Sequence, residues 1–284
     1  MLASTFFFAI MNVLIKQAVR IPAMEIVFIR CLVSLLLCLW ILQKEKVDWK
    51  GSNRKLLLAR GIFGTTALYT FFITLHELPL GTAVTIQYLS PVFTTAIAIY
   101  LLKEKMKLPQ WFFFAVSFFG VLLLKGFDTR VSALLLVIGI ISALASGFAY
   151  NMVRSLKGKE HTMVVVLHFQ IVGTLVGFVF AIFNWKTPTP VEWLYLIMIG
   201  VMTQLGQVNL TKALHREKIA DVSILNYLGV IYALLFGYFL FGETHNLLSL
   251  SGILFVMGGV LLNFIYQRKT SKVIAEEELT TIEE

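Results

Sequence analysis

The stretch EWLYLIMIGVMTQLGQVNLTKALH carries Gln204, Gln207 and Thr211 at i, i+3 and i+7, one face of a helix. Two glutamines in the middle of an apolar run need hydrogen-bond partners that hydrocarbon does not offer. They either bond a neighbouring helix or line a wet cavity, and Gly206 beside them gives local backbone freedom that favours the cavity. Other apolar runs hold comparable groups. They are Asn12, Arg30, the cluster Thr65, Thr66, Tyr69 and Thr70, then Gln87-Tyr88, Asn151, His168 and Asn226-Tyr227. Arg30 is the most expensive, since an arginine at a helix centre costs about 2.5–3.5 kcal/mol on insertion scales. It either snorkels to an interface or faces the cavity and holds an anionic group. Together these neutral polar types and the many aromatics offer recognition of an amphipathic solute better than of a polyanion.

Catalysis would need a convergent nucleophile, base or metal cluster. The runs contain no HExxH, no paired aspartates and no Cys-His arrangement. Glu25, Glu77, Glu104, Asp128, Glu192 and Glu243 all fall near run ends, which leaves a carboxylate proton relay unsupported. No catalytic residue, metal site or cofactor is expected. His168 reads as a packing residue, and Cys31 and Cys38 as small buried ones. Glu104 and Glu243 read as members of ion pairs near helix ends, and Asn12 and Asn151 as groups bonded to backbone or reaching substrate. The GTLVG at Gly173 reads as a close helix contact.

The elements that must position these groups follow from composition. Hydrophobic residues make up 58% of the chain and charged residues 14%, against about 25% charged in globular domains. Such a chain cannot cover its surface in water and must use lipid as solvent. Ten runs are long enough to cross a bilayer: 2–18, 24–42, 56–75, 81–102, 108–125, 131–153, 162–183, 191–211, 219–241 and 247–266. The first lacks the basic region and cleavage site of a secretory signal; it is short, and the natural start is expected a few residues upstream. Pro91 frees a backbone carbonyl and predicts a kink or hinge in the fourth run. The connections are short, with no phosphate-binding GxxxxGK[ST] loop. The net charge of +8 sits in clusters between runs, not on one face of a polar domain as nucleic-acid binding requires. With the N-terminus inside, eighteen Lys and Arg, Arg60 among them, fall in cytoplasmic segments and five in outer ones. The positive-inside rule then places both termini in the cytoplasm.

The chain also repeats itself. At a constant offset of 139 residues His76 falls on His215, Tyr88 on Tyr227, Glu104 on Glu243 and Gly120-Val-Leu-Leu on Gly259-Val-Leu-Leu. Gly61 falls on Gly200 and Asn12 on Asn151 in the same register. The expected fold is therefore an all-α integral membrane protein of ten helices in two five-helix repeats, 1–126 and 131–268, with an irregular acidic tail at 269–284. Five is odd, so the second copy enters the membrane inverted. Inverted repeats are the architecture of alternating-access carriers, with the site near the midplane between halves.

Several motifs resemble the EamA family of the drug/metabolite transporter superfamily. AIAIYLLKEKM and GYFLFGETH resemble its helix-four ending, EIVFIRCLVSLLL its second helix, and FAIMNVLIK and GFAYNMVRS the openings of its two repeats. The resemblance covers residues 3–266 and departs at Lys103, where the family usually has Gly. It implies a secondary carrier of an amino acid or related small metabolite, efflux being common in the family. The alternatives are uptake of a cationic or adenosyl-type metabolite, or a receptor or assembly factor without flux. The partners expected are a small-molecule substrate and the lipid bilayer, and the setting a bacterial inner membrane. Candidate cavity residues are Asn12, Arg30, Thr66, Tyr69, Gln87, Tyr88, Asn151, Gln204, Gln207, Asn226 and Tyr227. Gln87-Tyr88 and Asn226-Tyr227 are expected to be symmetry-related gates or rims.

Overall fold

The computed structural model describes residues 2–102, 108–127, 130–216 and 228–283, all in helices and short connections. The helices are α1 (Leu2–Gln17), α2 (Ala23–Glu45), α3 (Arg54–Glu77), α4 (Leu80–Gln87), α5 (Ser90–Leu102), α6 (Leu108–Phe127), α7 (Ala133–Ser155), α8 (Thr162–Phe183), α9 (Pro190–Arg216), α10 (Leu228–Phe241) and α11 (Leu247–Glu283). Among the described residues six are long and apolar enough to cross a membrane: α2, α3, α7, α8, α9 and the first part of α11. Three shorter apolar helices lie in α1, α6 and α10. Phe112, Leu122, Leu134, Leu175, Phe183, Leu194, Phe239 and Leu254 are at least half exposed. So much outward apolar surface needs lipid around it.

Local chemistry sets where the helices begin. Asn53 caps α3 by accepting from the Leu56 N–H, and Ser132 caps α7 by accepting from the Leu135 N–H. Thr189 and Glu192 exchange hydrogen bonds across the start of α9, a capping box with Pro190 inside it. The fourth expected span is two helices. Pro91 has no N–H to give the Gln87 carbonyl, and the chain breaks at Tyr88-Leu89 between α4 and α5. The tail departs from expectation: α11 runs through Glu283, so the backbone of 269–283 is helical where an irregular end was expected. Ala and Glu are good helix formers and extend the span beyond its apolar part.

Packing pairs elements from the two parts of the chain. α1 packs on α9, α2 on α8, α3 on α7 and α8, α2 also on α9, α5 on α7, α10 on α1 and α4, and α6 on α11. The close pairs run antiparallel: Phe28 and Cys31 of α2 meet Gly177 and Gly173 of α8, as the small residues of GTLVG allow. Two crossings stand out. A Cβ on Gly120 would lie 2.6 Å from the Gly252 carbonyl oxygen and the Val256 nitrogen. A Cβ on Gly259 would lie 2.6 Å from the Phe113 oxygen and 2.7 Å from the Ser117 nitrogen. Likewise a Cβ on Gly61 would meet Val172, and one on Gly200 would meet Val33, each at 2.5 Å.

The end of the bundle that carries the N-terminus is tied by Glu160. Its Oε1 accepts from the Ser52 and Asn53 N–H groups at 2.6 and 2.5 Å and from the Ser52 hydroxyl at 2.8 Å. Burial alone would raise this carboxyl, but those hydrogen bonds outweigh it and hold it below the usual glutamate range. A depressed carboxylate contributes stability above its unfolded value, near 4.3, and that contribution is lost as pH falls through the folded value. Glu160→Gln is therefore expected to cost about 1 kcal/mol near neutral pH. The gap to the parent, followed by thermal unfolding in detergent, is expected to close below about pH 4.

Candidate functional site

A cavity of about 140 Å³, partly open to the outside, lies where α1, α2, α3, α4, α7, α8 and α9 converge. Its polar lining is Asn12, Arg30, Arg60, Gln87, Tyr88, Ser90, Ser146, Tyr150 and Gln207, set among Phe8, Met11, Phe71 and Phe169. The break in the fourth span opens directly onto it through Gln87, Tyr88 and Ser90. Irregular backbone at membrane depth is tolerated where it lines such a cavity.

Gln87 is held at both ends of its amide. Its Nε2 donates to Ser146 Oγ and its Oε1 accepts from Ser142 Oγ, each at 2.7 Å, so α7 fixes the last turn of α4. Ser142 Oγ also stands 2.7 Å from the Ala67 carbonyl oxygen and brings α3 to the same point. The Tyr88 hydroxyl comes so close to Gly229 that a Cβ there would overlap it. Gln207 Oε1 and Asn12 Oδ1 are buried and have no partner among the described residues.

Two arginines dominate the electrostatics. Arg30 is 1% exposed and Arg60 4%. Nε, Nη1 and Nη2 of Arg30, and Nε and Nη1 of Arg60, are buried without a hydrogen-bond partner among the described residues. Both guanidiniums lie over Phe169, with Cζ 5.4 Å from the ring centroid for Arg30 and 4.2 Å for Arg60. Arg30 also lies 5.9 Å from the Phe72 ring. Among the described lining residues there is no Asp or Glu.

The cavity thus brings together Asn12, Arg30, Gln87, Tyr88 and Gln207 of the residues singled out from sequence. Thr66, Tyr69, Asn151 and Gln204 lie elsewhere. The cavity face of α3 is Arg60, Gly64, Ala67, Leu68 and Phe71. A helical turn of about 100° per residue carries Thr66 and Tyr69 off that stripe. Thr66 is exposed, and Tyr69 lines a second recess with Glu25 and His76 at the opposite end of the bundle. Asn151 Nδ2 donates to the Thr94 and Gly147 carbonyls, each at 2.9 Å, and so fastens α5 to α7. Gln204 turns to α2, its Nε2 3.0 Å from Cys38 Sγ. A step of i to i+3 leaves about 60° between two side chains, enough for Gln204 to reach α2 while Gln207 reaches the cavity. Asn226 and Tyr227 lie outside the described residues, as does Glu104. His168 packs as expected, with Nδ1 2.9 Å from the Val164 oxygen.

Sequence reasoning missed Arg60, Ser146, Tyr150 and Phe169. Arg60 follows Arg54 and Lys55 and was counted with that loop cluster; in the structure it is buried inside α3. The signal available was its position within the apolar run, one and a half turns past Lys55.

Comparison with known proteins gives the family. The model of the EamA-like transporter family matches residues 1–125 and again 132–265. The chain is 29% identical over 264 residues to the pseudopaline exporter CntI of Pseudomonas aeruginosa, covering 92% of this chain and 93% of that protein. It is 25% identical to the mouse solute carrier family 35 member G1, over 89% of this chain and 74% of that one. The S-adenosylmethionine uptake transporter of Rickettsia conorii is 25% identical, over 88% of this chain and 85% of its own length. A crystal structure at 15% identity superposes with a TM-score of 0.66 over 94% of this chain and 98% of its own, a likeness of fold alone. The chain belongs to the EamA-like transporter family, whose members are membrane transporters, not enzymes.

Proposed function

From that membership we propose that the chain is a secondary active carrier of a small organic metabolite, working by alternating access between two inverted halves, 1–126 and 131–268. The observation that carries this reading is the cavity at the junction of the halves, lined from both and open at the broken fourth span. The packing supports the inversion. Exchanging each half's helices for the other's turns α1 on α9 into α7 on α3, and returns α2 on α8 and α6 on α11 to themselves. The glycine seats repeat the same exchange: Gly120 faces 252 and 256, and Gly259 faces 113 and 117, each 139 residues apart. Antiparallel pairs related in this way put the axis across the helices, in the membrane plane.

The positive-inside bias supports cytoplasmic termini in a bacterial inner membrane, and moving Arg60 out of the loop set does not change its sign. The cavity lining lies in the middle of the helices, on Arg60 to Phe71 of α3, Phe169 of α8, Ser146 to Tyr150 of α7 and Gln207 and Leu210 of α9. The relationship to an exporter supports outward transport. The cationic or adenosyl-type alternative is disfavoured by a lining with two arginines and no described carboxylate.

Purified protein in liposomes loaded with a cell-extract metabolite mixture, followed by mass spectrometry of what is retained, tests the reading. Selective loss of one chemical class is expected, slowed by about tenfold or more in Gln207→Ala, whose unpartnered oxygen faces the cavity. Retention identical to protein-free liposomes, with and without an imposed proton or sodium gradient, would count for a receptor without flux.

A further inference from the structure

We propose that Arg30 and Arg60 form a two-guanidinium seat for an oxyanion, so that the substrate is an organic anion bearing a carboxylate or phosphate group. This rests on the carrier reading above and names the chemical class that the carrier takes. A buried charge is normally paired, because taking an ion out of water is costly unless something repays it. Here two like charges are buried over one ring, with five donor nitrogens in all that have no partner among the described residues. Like charges in a low-dielectric site also repel each other. Phe169 relieves part of this: its ring face attracts both guanidiniums and holds them over one platform. An aromatic face accepts N–H groups only weakly and cannot match the in-plane fork of a guanidinium. Carboxylate and phosphate do, bidentately, which is why arginine recurs wherever such groups are recognised.

The rest of the lining fits the remainder of such a molecule. Gln207 Oε1 and Asn12 Oδ1 are open acceptors for an amine or hydroxyl. Phe8, Met11 and Phe71 offer apolar contact for a carbon skeleton. Gly64 leaves the room in which Arg60 sits, since a Cβ there would overlap its Nη1. Loading also lowers the positive charge of the site, so the filled cavity is easier to close than the empty one. A structural role makes the opposite demand, because an arginine that holds helices together has its nitrogens satisfied by carbonyls.

The test uses the full chain purified in detergent, with thermal unfolding in succinate, glutamate, glycerol 3-phosphate and the neutral succinamide and glycerol at matched ionic strength. A carboxylate or the phosphate ester is expected to raise the midpoint by about 5 °C at saturation, with the neutral compounds silent. Whichever anion acts identifies the oxyanion. Arg30→Gln and Arg60→Gln are each expected to weaken that anion tenfold or more, with Arg30→Lys recovering part of it. They are also expected to raise the midpoint of the empty protein, since each removes an unpaired buried charge; a structural arginine would lower it. Stabilisation by the neutral compounds alone, by no compound, or undiminished in the Arg30→Gln/Arg60→Gln double variant overturns the proposal. Counterflow in liposomes separates the two readings. An anion that binds but does not cross leaves the seat standing and removes the carrier; a neutral metabolite still carried by the double variant does the reverse.

Discussion

Lys16→Met is expected to open the end of the bundle opposite the termini. Lys16, in the last turn of α1, lies 2.9 Å from Glu243 Oε1 just past α10, with side-chain exposures of 14% and 10%. Its Nζ also donates to the Leu78 carbonyl at 2.5 Å, and Glu243 Oε2 accepts from the Leu80 N–H at 2.7 Å. One ion pair thus joins α1, the α3–α4 turn and the end of α10, that is, both halves above the cavity. Removing one partner of a fully buried pair costs about 3–5 kcal/mol because the other charge is stranded. At this partial exposure about 2–3 kcal/mol is a fair figure. At about 1.4 kcal/mol per tenfold, the closed arrangement loses roughly 30- to 140-fold in population relative to the open one. A Leu80→Cys reporter, with Cys31 and Cys38 replaced by Ala, reads this directly. A membrane-impermeant maleimide applied from that side is expected to label the Lys16→Met variant at least tenfold faster. The exchange Lys16→Glu with Glu243→Lys is expected to restore closure only in part. A lysine at 243 cannot accept the Leu80 N–H. An unchanged labelling rate with a lowered unfolding midpoint would make the pair a structural staple and remove it from the transport cycle.

How much of this was legible in the chain follows from what each signal measures. Apolar run length marks elements well, because a bilayer imposes it, and the described helices fall on the expected runs within a few residues at most ends. Pro91 marked the break in the fourth span for a covalent reason, a missing N–H. Direction around a helix was harder. Asn12, Arg30, Gln87, Tyr88 and Gln207 line the cavity, whereas Thr66 and Tyr69 sit on a different face of α3 from Arg60 and Phe71. In a membrane, polarity does not separate cavity from helix contact, since a lone amide can be satisfied by either. Asn151 and Gln204 took the helix contact. Arg60 was hidden by its neighbours, because only four residues separate it from Lys55 in the basic cluster before the apolar run. Phe169 carried no signal at all: one phenylalanine in an apolar helix resembles any other until two guanidiniums are seen above it.

The repeat in the sequence has its clearest physical meaning at the α6–α11 crossing, where the expected loss on substitution is largest. Gly120 and Gly259 let the two backbones touch: the atoms a Cβ would meet at 2.6–2.7 Å are main-chain oxygen and nitrogen. A side chain in the way could swing aside, but a helix backbone can only withdraw as a whole. Membrane helices hold together largely by such close packing, without a hydrophobic drive between them. Gly120→Ala is therefore expected to cost about 1–3 kcal/mol by overpacking, more than the roughly 1 kcal/mol that alanine gains in helix propensity. Gly120→Leu is expected to yield no folded protein. Gly258, one residue from Gly259, has nothing within 4 Å of its Cβ position, and Gly258→Ala is expected to be neutral or slightly stabilising. The proposed two-fold relation adds a sharper demand. Gly259→Ala should cost the same as Gly120→Ala, because each glycine sees the other's surroundings 139 residues along the chain. Neither glycine lines the cavity, so binding of whichever anion stabilises the parent should be unchanged in the Ala variants that fold. Unfolding midpoints of the three Ala variants measured side by side decide it. A neutral Gly120→Ala beside a damaging Gly259→Ala would mean that the halves share a sequence pattern without sharing the contact it encodes.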